Sequence, residues 1–345
     1  MEVIMSKLKR RSLLRLGALS GLVSSVSSRV VGATTTPLAR PMVSNYVRLG
    51  RTEMKVSDIS FGSFPLQPGD EKVVHHALDL GINYFDTAEG YGNGKSEEAF
   101  GRALVGVSRQ DVYLATKIFA GSQMSAAEMM SRLDGCLKRL RTDYVDVFFN
   151  HAVNDLARLQ NEAWQQFAEQ ARAQGKVRYF GMSGHAGRLT ECVKYAIDKD
   201  MFDVLLLATN FGDDPAFYER FTRSFDMVAN QQGLQKLMAE AKRKDIGVIA
   251  MKVLRGARLN DMRPYEQDGY TYSQAACRWI LNNPHVDNLI ITMRNRDEIE
   301  EFLGASGVGA VTEADMALLQ TYAAMFLSAE LNFFSNLSAV SWSKF

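Results

Sequence analysis

The sequence predicts a closed (β/α)8 TIM barrel with a short N-terminal β-hairpin and an extra C-terminal helix. Eight apolar runs of strand length recur along the chain, and segments with apolar residues at three- and four-residue intervals separate them. Parallel neighbours cannot be joined by tight turns, so this alternation implies crossovers, and eight such units suggest closure. No GxGxxG motif follows the first run, which argues against an open dinucleotide-binding sheet.

In chain order, Val47 to Thr52 and Lys55 to Asp58 alternate like strands around a short turn and predict the hairpin. The barrel strands of the first half are Ile59 to Gly62, Ile82 to Asp86, Val112 to Lys117 and Tyr144 to His151. The second half offers Val177 to Ser183, Val204 to Asn210, Val248 to Leu254 and Asn288 to Thr292. Helices are expected over Glu71 to Leu80, Ser96 to Leu104, Ala157 to Gln174, Leu189 to Lys199, Leu234 to Lys244, Tyr272 to Asn282 and Asp297 to Leu303. A further one starts at Ser125, whose spacing to Glu128 is that of a capping box, and carries Leu133, Leu137 and Leu140. A last helix, Glu313 to Glu330, and an aromatic tail follow the eighth unit and are expected to cover a barrel face.

A chain of 345 residues, 46% apolar, buries a large core, and a formal net charge of +1 provides no basic field for nucleic acid. Cys136, Cys192 and Cys277 are far apart, each in a helical segment, and read as buried apolar residues. No apolar stretch beyond the first residues approaches the ~18 needed to span a bilayer. The N-terminus differs: Lys7 to Arg15 is basic with an arginine pair, Leu16 to Val31 is weakly apolar, and Gly32-Ala33 are small. That order resembles a twin-arginine (Tat) export signal peptide. Residues 1–42 are therefore read as a signal and linker and residues 43–345 as the barrel with its extension. A functional signal implies a periplasmic protein and the Tat machinery as partner, and a non-functional one a cytoplasmic protein.

In such a barrel the C-terminal strand ends form the functional face, so polar residues closing apolar strands are the candidates. Asp86 closes the second strand, Lys117 the third and His151 the fourth, and Tyr91 lies in the loop after Asp86. A phenol ordinarily titrates near about 10, and a nearby ammonium favours the phenolate, so Lys117 is expected to lower the pKa of Tyr91. Asp86 is the natural counterion for a lysine near an apolar mouth. His151 can donate a hydrogen bond to a substrate oxygen. His75 and His76 point in different directions from the first helix and read as a solvated or partly packed pair, whereas His185 either contacts substrate or caps a turn.

With these residues the sequence resembles the aldo-keto reductase superfamily from Tyr46 to about Leu303. The resemblance rests on "FDTAEGYG", "LATKI", "DYVDVFFNH", "GKVRYFGMSGH" and "GVIAMKVLRGARL". It implies a catalytic tetrad of Asp86, Tyr91, Lys117 and His151, a nicotinamide dinucleotide, and a small-molecule carbonyl or alcohol substrate. It also implies that Ser183 and Asn210 hold the nicotinamide carboxamide, that Lys252 and Leu254 lie in the loop clasping the pyrophosphate, and that Glu301 is near the adenine. Arg294 and Asn295 precede a helix, and a helix N-terminus with a guanidinium is an anion site suited to a 2′-phosphate, so NADPH is the first expectation and NADH the second.

Four positions depart from the family pattern. Gly184 stands where many members have Asn, Met251 where many have an aromatic stacking on nicotinamide, Phe302 for an Asn near the adenine, and Glu298 where some branches have an arginine. A carboxylate at 298 repels phosphate. No cysteine follows Cys277, so the iron-sulfur segment of some relatives is not expected, and no metal is expected either. The resemblance implies reduction of an aldehyde, ketone or sugar-like carbonyl, or oxidation of the alcohol. A slow-turnover regulatory module on the same barrel, or a periplasmic lyase or isomerase, are the alternatives.

Overall fold

The computed structural model describes residues 40–185, 187–211, 231, 233–254, 262–267, 270–307 and 309–338, with side chains to residue 325. The signal-like stretch and the end of the aromatic tail lie outside these residues. All described residues belong to one compact unit, Arg40–Phe345.

A hairpin of β1 (Tyr46–Arg48) and β2 (Lys55–Ser57) pairs antiparallel ahead of the barrel. Part of the first predicted hairpin arm, Gly50–Thr52, is instead a 3-10 turn. Gly50 has φ +46°, and a Cβ there would lie 2.2 Å from the Gly247 nitrogen, so the turn approaches the barrel more closely than any side chain allows.

Eight parallel strands follow: β3 (Ile59–Gly62), β4 (Tyr84–Asp86), β5 (Tyr113–Ile118), β6 (Val145–Asn150), β7 (Val177–Gly184), β8 (Val204–Ala208), β9 (Gly247–Met251) and β10 (Asn288–Thr292). They close in the order β10-β3-β4-β5-β6-β7-β8-β9, the (β/α)8 barrel expected. Between them run α1 (Glu71–Asp79), α2 (Lys95–Ala103), α3 (Ala126–Leu140), α4 (Leu156–Leu159), α5 (Glu162–Ala173), α6 (Leu189–Asp198), α7 (Leu234–Arg243), α8 (Tyr272–Leu281) and α9 (Arg296–Leu303), with α10 (Glu313–Ser338) last.

The strand period of two splits the core into an inner and an outer layer. Tyr84, Ala115, Val147, Phe149, Val204, Leu206, Ile249 and Ile290 face the barrel interior, where Leu49, Met54 and Val56 from the hairpin join them. Phe61, Phe85, Leu114, Phe148, Phe180 and Leu205 face outward under the helices. Burying one such phenylalanine contributes about 2 kcal/mol. Because Tyr84 and Ala115 point inward, so do Asp86 and Lys117 two residues later, one layer nearer the rim.

The helix starts follow local chemistry. Ser125 accepts from the Glu128 amide while Glu128 accepts from the Ser125 amide, the expected capping box, contributing about 1 kcal/mol. The single helix expected over Ala157 to Gln174 is two. Asn161 interrupts it, its side chain accepting from the Ala163 amide and donating to the carbonyls of Gly121 and Met124. The side chain satisfies the first turn of α5 and ties the break to the loop between β5 and α3.

α10 packs on α8, with the Tyr272 and Tyr322 rings 4.5 Å apart and a buried ion pair between Arg278 and Asp315. The three cysteines are buried in helices. His75 is exposed, whereas His76 is buried and bonds Glu300 at 2.9 Å and the guanidiniums of Arg40 and Arg296. His76 is thus fully packed, beyond the partial packing expected.

Candidate active site

Strand register brings the four rim residues together. Asp86 is level with Ala115 on β5, and Lys117, two residues on, is level with Phe149 on β6. The Lys117 ammonium, 1% exposed, donates to Asp86 Oδ1 at 2.5 Å and to the Thr87 carbonyl at 2.7 Å. Its third reach is to the Tyr91 hydroxyl at 3.5 Å. The rings of Tyr91 and His151 stand edge to face, centroids 5.7 Å apart.

Charge states follow from burial and neighbours. Burial alone would pull the Lys117 ammonium down, but Asp86 and Tyr91 hold its pKa above the ordinary value. Burial lifts the Asp86 carboxyl against the pull of Lys117. Tyr91 corrects the sequence reading: burial raises its phenol above the usual 10, and the ammonium only partly offsets this. The sequence revealed the lysine but not the low dielectric around the ring. His151 is pushed down to about 3, by burial first and then by Lys117, His185, Arg158 and Lys252, so its imidazole is neutral.

The loop carrying Tyr91 is anchored on both sides. Glu89 pairs with Arg132 of α3, whose guanidinium also donates to the Phe119 carbonyl. Phe64 packs edge-on against the Tyr91 ring at 5.3 Å. Sequence reasoning did not identify these supports, because neither the contact partners nor their separations along the chain have a local pattern.

A cleft of about 580 Å³ opens beside the tetrad, lined by Asp86, Tyr91, Phe64, Leu206, Met251, Lys252, Val253, Leu254, Arg294 and Phe302 among others. Of the residues expected to bind cofactor, Met251, Lys252, Leu254 and Arg294 line it. Ser183 and Asn210 are buried at the ends of β7 and β8, and the Ser183 hydroxyl accepts from the Ala152 amide at 2.9 Å. Asn295 turns into α9 as its cap, accepting from the Glu298 amide. Glu301 lies on α9, and its carbonyl accepts from Gln274. Neither Asn295 nor Glu301 lines the cleft. Arg294 is engaged by Glu298, whose carboxylate accepts from the guanidinium Nε at 2.8 Å and from the Arg294 amide at 2.9 Å.

An acid, an ammonium, a phenol and a neutral imidazole stand together on the C-terminal rim beside a cleft, a set of groups able to carry acid–base chemistry. The chain belongs to the aldo/keto reductase family, whose sequence model matches residues 67–323. It is 27% identical over 302 residues to the L-galactose dehydrogenase of Arabidopsis thaliana, covering 77% of this chain and 88% of that protein. A probable voltage-gated potassium channel subunit beta of the same plant is also 27% identical, over 76% of this chain and 91% of the relative. The holo form of an aldo-keto reductase from Bacillus halodurans shares the fold, with a TM-score of 0.63 and 20% identity over 80% of this chain and 95% of that one. The protein is accordingly an NAD(P)H-dependent oxidoreductase.

The residues present fit such a cofactor. The cleft volume lies within the roughly 300–1,000 Å³ usual for ligand sites. Leu206, Met251, Val253, Leu254 and Phe302 offer apolar faces for flat rings, with Lys252 and Arg294 supplying cations along the same wall. Lys252 holds φ +59°, a left-handed backbone that a residue with a Cβ adopts only when its surroundings impose it. The Thr209 hydroxyl, buried after β8, has no hydrogen-bond partner among the described residues. No cluster of three or more His, Cys, Asp or Glu suited to a metal occurs among the described residues, and no helix there is long and apolar enough to cross a membrane.

Proposed function

We propose that this enzyme reduces a small aldehyde, ketone or sugar-like carbonyl, or oxidises the corresponding alcohol, with Tyr91 as proton donor. A bound nicotinamide dinucleotide supplies or accepts the hydride. The observation that carries the reading is the continuous contact Asp86–Lys117–Tyr91 at the edge of the cleft, with His151 against the Tyr91 ring.

Each residue has a defined task. Neutral His151 donates a hydrogen bond to the carbonyl oxygen and orients it toward Tyr91. As negative charge develops on that oxygen, the Tyr91 hydroxyl gives up its proton, and the Lys117 ammonium stabilises the phenolate left behind. Asp86 keeps Lys117 charged in a buried position. In the oxidative direction the phenolate takes the proton back.

The cofactor is read as NADPH first and NADH second. Arg294 is the cation for a 2′-phosphate, and Glu298 reduces that advantage by neutralising it. Export by the twin-arginine route is proposed on the Arg10-Arg11 pair and the weakly apolar tract after it, which leaves residues 43–345 as the working enzyme. Cell fractionation of the parent and an Arg10→Lys/Arg11→Lys variant tests this: the parent is expected in the periplasm and the variant inside. Equal distribution of both would overturn it.

Fluorescence titration of the purified full chain with NADPH and NADH tests the site. Saturable binding of at least one, quenching protein emission, is the expected result. Absence of binding to either would overturn the reading.

A further inference from the structure

Arg158 is a buried cation whose acceptors are all neutral. It stands on the short helix α4 and is 6% exposed. Its Nε donates to the Ala120 carbonyl at 2.8 Å and Nη1 to the Ala152 carbonyl at 2.8 Å. Nη2 donates to Asn150 Oδ1 at 2.5 Å and to the His151 carbonyl at 2.7 Å. The guanidinium carbon also sits 3.8 Å from the centre of the Phe119 ring, which is 53% exposed at the rim. No carboxylate hydrogen-bonds this cation, and the nearby charge of Asp155 offsets its burial only in part; such burial is costly, and a packing role alone would be met more cheaply by an apolar side chain.

Three of the residues that it grips, Asn150, His151 and Ala152, are consecutive and include the rim histidine. Ala152 has φ +51°, a left-handed conformation that a residue with a Cβ holds only under restraint. Arg158 fixes the carbonyls on both sides of that peptide, the Ser183 hydroxyl takes the Ala152 amide, and the His151 amide is tied to the Ile118 carbonyl at 2.8 Å. The backbone that carries His151 is therefore a left-handed turn held by hydrogen bonds on both sides.

We infer that Arg158 is a positioning residue: it locks the His151–Ala152 turn so that the imidazole is aimed at the substrate oxygen. The inference rests on the reading of His151 given above. A guanidinium suits the task because its planar fork reaches several carbonyls at once, whereas a lysine ammonium is a point charge with a different reach.

The test uses full-length Arg158→Met, Arg158→Lys and Arg158→Met/Ala152→Gly, with 4-nitrobenzaldehyde as carbonyl probe. Nucleotide Kd, melting midpoint, kcat and KM are measured, together with proton NMR of the His151 imidazole, assigned through His151→Gln. Arg158→Met is expected to fold, to keep its nucleotide Kd within about threefold, and to lose tenfold or more in kcat/KM. Its His151 resonance should shift.

Groups facing that imidazole are Lys117 on β5, Tyr91 after β4, His185 after β7, Lys252 after β9 and Arg158 itself, and Arg158→Met changes only the last of these charges. Arg158→Lys keeps the charge and is expected to lose kcat/KM as well, which separates aim from electrostatics. Ala152→Gly, which adopts the left-handed turn without strain, should restore at least threefold in the Arg158→Met background. A folded Arg158→Met with kcat/KM within twofold of the parent and an unmoved His151 resonance would overturn the inference, as would failure of both single variants to fold. If the parent binds nucleotide but does not reduce the aldehyde, the proposed reaction fails, and the His151 resonance alone decides the role of Arg158.

Discussion

The buried ammonium of Lys117 is 2.5 Å from Asp86 Oδ1, and neither side chain has appreciable access to water. Asp86 holds the ammonium charged, and Lys117 opposes the burial that lifts the Asp86 carboxyl. The pair is a structural necessity before it is a catalytic one, because removing either partner leaves a bare charge in the barrel mouth.

Lys117→Met is therefore expected to destabilise the fold by about 3–5 kcal/mol, and Lys117→Met/Asp86→Asn to recover part of that loss while remaining inactive. Urea denaturation of the three proteins measures it. A double variant less stable than Lys117→Met would contradict the pairing.

Because the phenol of Tyr91 is raised above its ordinary value, the donor form persists at alkaline pH. Reduction should hold a plateau through about pH 9 and fall only above 10, whereas oxidation, which needs the phenolate, should rise over the same range. Steady-state kcat/KM in both directions against pH checks the sign.

His151 titrates at about 3 in the folded protein, against an ordinary 6.5. The unfolded chain binds the extra proton between these values, so stability is fully present above 6.5 and falls as the pH drops toward 3. The expected loss between pH 7 and pH 5 is about 2 kcal/mol, absent in His151→Gln. Denaturant midpoints of both proteins at the two pH values test this.

Glu298 pairs with Arg294, the cation proposed above for a 2′-phosphate. Glu298→Gln should therefore strengthen NADPH binding by about tenfold relative to NADH, and Arg294→Ala should weaken NADPH selectively. The ratio of the two dissociation constants in each variant is the readout.

Much of the barrel was legible because its signal is periodic. The eight strands fall within or next to the expected runs, and Asp86, Lys117 and His151 were found by position at strand ends. What escaped depends on contacts between distant residues. Asn161 breaks a segment whose apolar period continues through it, because its side chain finds the carbonyls of Gly121 and Met124. The direction of the Tyr91 shift is set by burial, which no neighbour in sequence reports. Glu298 was legible as a repulsive group but not as the carboxylate that occupies Arg294. Arg158 gave no signal at all, since its acceptors are mostly backbone carbonyls.

The most direct test of the account is turnover by Tyr91→Phe beside the parent, following nicotinamide absorbance with a panel of aldehydes, ketones and sugars. The variant lacks only the proton donor, so it should bind nucleotide within about threefold of the parent and reduce carbonyls at least a hundredfold more slowly. Turnover equal to the parent would show that the proton comes from elsewhere and would contradict the mechanism.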